Sequence, residues 1–150
     1  MTQPTNAVPI APLPLVLDAS VLAEYLLDTH LGIRAAELML PFAGNFHIPE
    51  FAVAETLSVI RKLALNGFIS ADRAQEAIDD LLTFPARRWQ TDLFVRRAWE
   101  LHSNLTAYDA IYVALAESLG ASFLTGDIRA AHGAEAAKAT CPIIVLSDTP

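Results

Sequence analysis

The sequence contains one cysteine, Cys141, so it can form no intrachain disulfide and offers no thiolate cluster for zinc. It has no uninterrupted apolar run of about 18 residues, the length a membrane-spanning helix needs. The nearest approach, Val8 to Leu27, is broken by Pro9, Pro12, Pro14, Asp18 and Glu24. Cations are scarce as well. No Lys or Arg precedes Arg34, so the N-terminal stretch lacks the positive region of a secretory signal. These absences set the expectation of a cytoplasmic protein without membrane association. The formal net charge of −7 and pI of about 4.9 argue against a broad basic nucleic-acid surface, although acids gathered in one site would bias that total. The glycines form neither a Walker nor a dinucleotide-binding pattern, so no nucleotide cofactor is expected. His30, His47, His102 and His132 show no zinc-binding spacing, and Ser20 and Ser58 lack a nucleophile elbow.

Apolar residues, by contrast, are plentiful. They make up 53% of the chain against 18% charged residues, a balance that excludes disorder. With 150 residues the chain fits one domain, large enough to bury roughly 68–70% of its unfolded surface without staples. Four of the nine prolines fall within residues 1–14, which carry no charge, and that segment reads as an irregular lead-in. From Leu15 onward short apolar runs alternate with longer helical patterns, the signature of an α/β domain with a mainly parallel sheet. Strands are expected at 15–17, 46–48, 87–90, 122–125 and 143–146. Helices are expected at about 20–28, 31–42, 50–66, 70–82, 92–102 and 106–119. Pro49 is placed as a first helical residue, Asn66-Gly67 as a stop, Ser70 as an N-cap and Gly120 as a C-terminal glycine.

Four acids stand where apolar residues are expected. Asp18 ends a buried strand and Asp127 follows another, and ligands in open α/β sheets bind beyond strand carboxyl ends. Glu55 and Asp109 lie within helical patterns among apolar neighbours. Each has an ordinary alternative. Asp18 and Asp127 suit helix caps, Thr106-x-x-Asp109 resembles a capping box, and Glu55 could pair with Arg61 or Arg129. If the four converge, their repulsion must be relieved by proton sharing or by a hard divalent cation that could also activate water. Spacing alone leaves both possibilities open.

VLDAS at 16–20, PEFAVAET at 49–56, NLTAYDAIYVALAE at 104–117 and FLTGDIR at 123–129 together resemble a PIN domain, with VapC-type toxins of toxin–antitoxin pairs the nearest match. The resemblance runs from Leu15 to Leu146 and divides the chain into the lead-in, 1–14, and a PIN domain, 15–150. It implies a three-layer α/β/α fold around a five-stranded, mainly parallel sheet. It further implies an Mg²⁺- or Mn²⁺-dependent endoribonuclease, usually a homodimer, kept inactive by a VapB-like antitoxin that can form a hetero-oligomer with it. By position, Asp18, Glu55, Asp109 and Asp127 match the family's metal-site acids. Asp18 and Asp109 match the direct ligands, while Ser20 and Thr125 match supporting hydroxyls. Two departures are the long lead-in and His102, which stands where many relatives carry a basic residue.

An RNA substrate calls for cations and aromatic surfaces. Arg129, two residues past Asp127, is the first choice for a phosphate contact, with a salt bridge to a site acid as its alternative. Trp89, Trp99 and Tyr108 could stack on unpaired bases, although helical spacing favours a core position for Trp99. Two other functions are weighed. A phosphatase of the haloacid dehalogenase kind needs an acid where Ser20 stands. A catalytically inactive PIN-like interaction domain would bind partners through the apolar helices over about 50–83, yet all four acids are present.

Overall fold

The computed structural model describes residues 11–148. The lead-in expected over 1–14 therefore lies mostly outside the described residues. Residues 11–14 run without regular structure into the sheet, where the Asn45 side chain donates to the Pro12 carbonyl.

Five strands form one sheet: β1 (Leu15–Leu17), β2 (Phe46–Pro49), β3 (Ala86–Trp89), β4 (Ser122–Thr125) and β5 (Ile143–Val145). Their spatial order is β3-β2-β1-β4-β5 and every pairing is parallel. Central β1 is wholly buried because helices cover both faces of the sheet, which is why it reads as an unbroken apolar run. One covering layer holds α1 (Ala19–Leu26), α2 (His30–Met39), α3 (Ala52–Leu65) and α4 (Ala71–Thr83). The other holds α5 (Val95–Glu100), α6 (Ala107–Leu119) and α7 (Ile128–Ala136). This is the three-layer α/β/α arrangement expected from the sequence.

α6 is the keystone, since Ala110 to Ala116 are buried without interruption between the sheet and its neighbouring helices. Tyr112, Phe123, Leu15, Leu17 and Leu115 are among the largest fully buried side chains. Burying a side chain of Leu or Phe size contributes about 1.5–3 kcal/mol. A smaller cluster of Ile60, Ala74 and Ala77 joins α3 to α4.

Local signals behave as read at most element ends. Ser70 accepts the Arg73 N–H as N-cap of α4, and α3 stops at Leu65 before Asn66-Gly67. Gly120 closes α6 at φ +60°, the left-handed conformation that favours glycine. Three boundaries differ. Pro49 does not start a helix; it ends β2 opposite Trp89, and the Glu50 N–H extends the ladder to the Trp89 carbonyl at 2.8 Å. β1 pairs β2 only at Phe46 and His47, so the N–H missing from Pro49 leaves no ladder partner unsatisfied. The helix expected over 31–42 ends at Met39 and tightens into a 3-10 turn around Pro41. The one expected over 92–102 is a 3-10 turn, Thr91–Phe94, followed by the short α5.

The chain leaves β1 on one side to build β2 and β3, then crosses to the other side for β4. The order therefore reverses between β1 and β4, and a crevice opens at their carboxyl ends. The N-termini of α1, α3, α6 and α7 meet there.

Candidate active site

Each of the four acids is delivered to that crevice by the start of a helix. Asp18 is the residue between β1 and α1 and Asp127 the one that caps α7, while Glu55 and Asp109 lie in the first turns of α3 and α6. Helix N-termini carry partial positive charge, which favours anions at these positions. The ordinary alternatives prove compatible with a site. Asp18 does cap α1, accepting the Ser20 N–H, and Asp127 caps α7, accepting the Arg129 N–H at 2.8 Å. Thr106 caps α6 by accepting the Asp109 N–H, but its hydroxyl donates to the Asp109 carboxylate at 2.7 Å. The reciprocal bond of a full capping box, to the Thr106 backbone, is replaced by this one.

Hydroxyls tie the acids down. Thr125, fully buried, donates to Asp18 Oδ2 and accepts the Asp127 N–H at 3.0 Å, so one side chain links the ends of the two central elements. The Ser20 hydroxyl accepts the Gly126 N–H at 3.1 Å, and a Cβ at Gly126 would stand 3.2 Å from that oxygen. Glu55 does not pair with Arg61 or Arg129. It accepts a 2.7 Å hydrogen bond from the Tyr112 hydroxyl, which itself accepts the Ala19 N–H at 3.2 Å. Tyr112 thus spans three elements of the site. The sequence reading gave it no part, although a buried tyrosine one helical turn from Asp109 must find a partner for its hydroxyl.

The electrostatics link the four carboxylates through Asp109, which feels the charges of Asp18 and Asp127, and through Glu55, which feels those of Asp18 and Asp109. Burial raises the Glu55 pKa above the ordinary range against the pull of the Tyr112 hydrogen bond, and the charges of Asp18 and Asp109 push it further. Burial likewise raises Asp109, with Asp18 and Asp127 adding to the effect and the Thr106 hydroxyl and Arg129 opposing it. Asp127 moves the other way. Desolvation works to raise it, but the Arg129 backbone N–H, side chain and charge together hold it low. Arg129 is 90% exposed and sits 3.5 Å from Asp127, so the salt-bridge alternative is realised while its guanidinium still faces solvent. Among the described residues, no three His, Cys, Asp or Glu side chains form a preformed metal cage. The acids stand as a loose ring of hard oxygen donors, each with acceptor capacity beyond the bonds described.

A family model for the PIN domain matches residues 15–136. The chain belongs to the PIN-domain family. Within it, the chain is of the VapC type. It is 36% identical over 121 residues to Ribonuclease VapC12 of Mycobacterium tuberculosis, covering 79% of this chain and 92% of that protein. Against Ribonuclease VapC9 of the same organism the identity is 33% over 132 residues, covering 88% and 98%. The crystal structure of PAE2754 from Pyrobaculum aerophilum shares the fold, with a TM-score of 0.63 at 20% identity over 95% of this chain and 91% of that one.

Around this PIN-domain crevice the remaining sequence candidates separate. Trp89 is half-buried and donates through its ring nitrogen to His47. Trp99 is not core: it is 69% exposed, because the short α5 buries only Ala98. Its ring stacks on His102 at 4.4 Å and 7°, and Tyr108, next to Asp109, is also exposed. Among the described residues no helix is long and apolar enough to cross a membrane.

Proposed function

We propose that this PIN domain is a metal-dependent endoribonuclease toxin that hydrolyses RNA phosphodiester bonds and is neutralised by a VapB-like antitoxin. The observation that carries the reading is the meeting of Asp18, Glu55, Asp109 and Asp127 at the switch point of the sheet, in a chain whose VapC relatives are named ribonucleases. Four carboxylates with one exposed arginine nearby leave negative charge in excess, which suits a hard divalent cation. Mg²⁺ and Mn²⁺ both accept such oxygens, and Mg²⁺ takes one or two carboxylates while keeping several waters, a demand an open ring meets without a closed cage. Asp18 and Asp109 are the proposed direct ligands, with Glu55 and Asp127 acting through water. When bound, the cation supplies Lewis-acid charge to the phosphodiester and lowers the pKa of the attacking water.

The protein's own groups do the rest. Thr125 and the Ser20 N–H fix the Asp18 carboxylate, and Tyr112 fixes that of Glu55. Glu55, with its raised pKa, is suited to take a proton from the attacking water. Arg129 is placed to meet a phosphate oxygen as a charge-assisted donor. The antitoxin and homodimer readings draw support from Leu57, Leu65, Phe68 and Leu82, exposed on the α3–α4 pair.

The test is cleavage of total bacterial RNA by purified, antitoxin-free protein with Mg²⁺, with Mn²⁺ and with chelator. Discrete fragments are expected with either metal and none with chelator. Asp18→Asn and Asp109→Asn are each expected to lose cleavage while keeping the wild-type circular dichroism spectrum. Full activity in either variant removes that residue from the ligand set.

A further inference from the structure

We infer that Tyr112 is a positioning residue of the proposed ribonuclease site, its hydroxyl acting as a strut that sets the spacing of Glu55, Asp18 and Asp109. The role rests on the ribonuclease reading. Tyr112 lies three residues after Asp109 on α6 and shares its face, so whatever holds the ring also fixes the helix that carries that acid. Its hydroxyl donates to Glu55 Oε2 at 2.7 Å and accepts the Ala19 N–H at 3.2 Å, the peptide that directly follows Asp18. One oxygen atom, anchored through its ring in α6, thus bonds to α1 and to α3. The Ala19 N–H belongs to the first residue of α1, one of the donors a helix leaves without an internal partner. A hydroxyl that accepts from such a donor is polarised as a donor in its turn, so the chain from Ala19 through Tyr112 to Glu55 strengthens along its length. The ring has no room to move. Tyr112 is 1% exposed, Phe123 stacks on it at 5.5 Å and 15°, and Phe51 sets its edge against it at 5.4 Å and 83°. Phe51 stands four residues before Glu55, so α3 is registered against α6 twice, by a ring contact and by a hydrogen bond. A phenylalanine would supply the same packing. The hydroxyl serves the crevice, since both of its partners belong there, and it holds the Glu55 carboxylate against the repulsion of Asp18 and Asp109. Without it Glu55 is free to turn from those like charges, and the acids no longer present a ring of fixed size to a cation.

The experiment compares Tyr112→Phe with wild type by circular dichroism in chelator, by calorimetric titration with Mn²⁺ alone, and by RNA cleavage in saturating Mg²⁺. The variant keeps the ring contacts with Phe51 and Phe123 and is expected to fold. Its Mn²⁺ affinity should fall about tenfold and its kcat about ten- to a hundredfold, the range for loss of a partner that orients a site group. KM for RNA should stay close to wild type. In a Glu55→Gln background the same change should leave Mn²⁺ affinity where Glu55→Gln alone puts it, because the strut then has no charge to hold. Glu55→Asp is the second variant. It leaves Tyr112 untouched and draws the carboxylate back by one methylene, so a similar loss of Mn²⁺ affinity is expected. Wild-type Mn²⁺ affinity and kcat in Tyr112→Phe, with only a lower melting temperature, overturn the role and give the hydroxyl to the fold. So does an equal loss with and without Glu55→Gln, or full Mn²⁺ affinity in Glu55→Asp. Failure of the parent reading looks different: wild-type protein would bind no Mn²⁺ and cut no RNA under any metal condition, and the role of Tyr112 would fall with it.

Discussion

Glu55 shows how much a single side chain here is held against its own preference. Burial and the neighbouring charges of Asp18 and Asp109 keep its folded-state pKa above the ordinary value, so the folded protein binds a proton there more readily than the unfolded chain does. For a raised carboxyl, stability falls as pH rises through the folded value, and the ionised form carries the cost at neutral pH. Glu55→Gln keeps an oxygen for the Tyr112 hydroxyl and removes the charge. In chelator at neutral pH it is expected to raise the melting temperature by a few degrees and to flatten the loss of stability that sets in as pH rises above the ordinary carboxylate range. A lower melting temperature would mean that the Tyr112 bond needs the carboxylate. The acids themselves were legible in the sequence because each interrupts an apolar pattern. Their partners were not. Tyr112 and Glu55 lie 57 residues apart, and no local periodicity pairs them.

Strands and helices were legible wherever burial imposes a pattern. β1 and β4 read as apolar runs because they are covered on both sides, and α3, α4 and α6 carry their own stops and caps. The region from 91 to 102 was not, since a 3-10 turn and a helix of six residues are too short to show a periodic face. Trp99 was misplaced for that reason. The edge pair β2–β3 carries a device at this scale. Trp89 donates to His47 Nδ1 at 3.1 Å, and His47 Nε2 meets Asn45 Oδ1 at 2.7 Å, a chain that requires a neutral imidazole with its proton on Nε2. Burial lowers the His47 pKa, and the Arg87 charge lowers it further. A histidine whose folded pKa lies below the unfolded value of about 6.5 contributes stability that is complete above that value and is lost as pH falls through the folded one. Between about pH 7 and pH 5 the wild-type melting temperature should therefore fall relative to that of His47→Gln. Parallel profiles would show that the Trp89 bond survives protonation of the ring.

The whole molecule is acidic, with a formal net charge of −7, and four of its ten cations stand in ion pairs, Arg34–Glu37, Arg73–Asp28, Arg97–Glu117 and Arg129–Asp127. Near the acids only Arg129 is placed to neutralise a phosphate, so RNA affinity is expected to depend only weakly on salt for a nucleic-acid enzyme. Each phosphate contact contributes a little under one unit to the slope of log K against log salt. Arg129→Ala is expected to lower that slope by about one unit and to weaken binding across RNA sequences alike. An unchanged slope would return Arg129 to the role of a partner for Asp127. The strand order has a consequence for the timing of synthesis. Residues 18, 55, 109 and 127 meet only after β4 has slotted in beside β1, and the Thr125 hydroxyl that joins their two ends arrives with it. Before β4 is made, Tyr112 can already join α1, α3 and α6, but Asp18 lacks its Thr125 partner and the fourth acid is missing. The ring of acids is thus completed late in translation, only once β4 has been made and paired with β1.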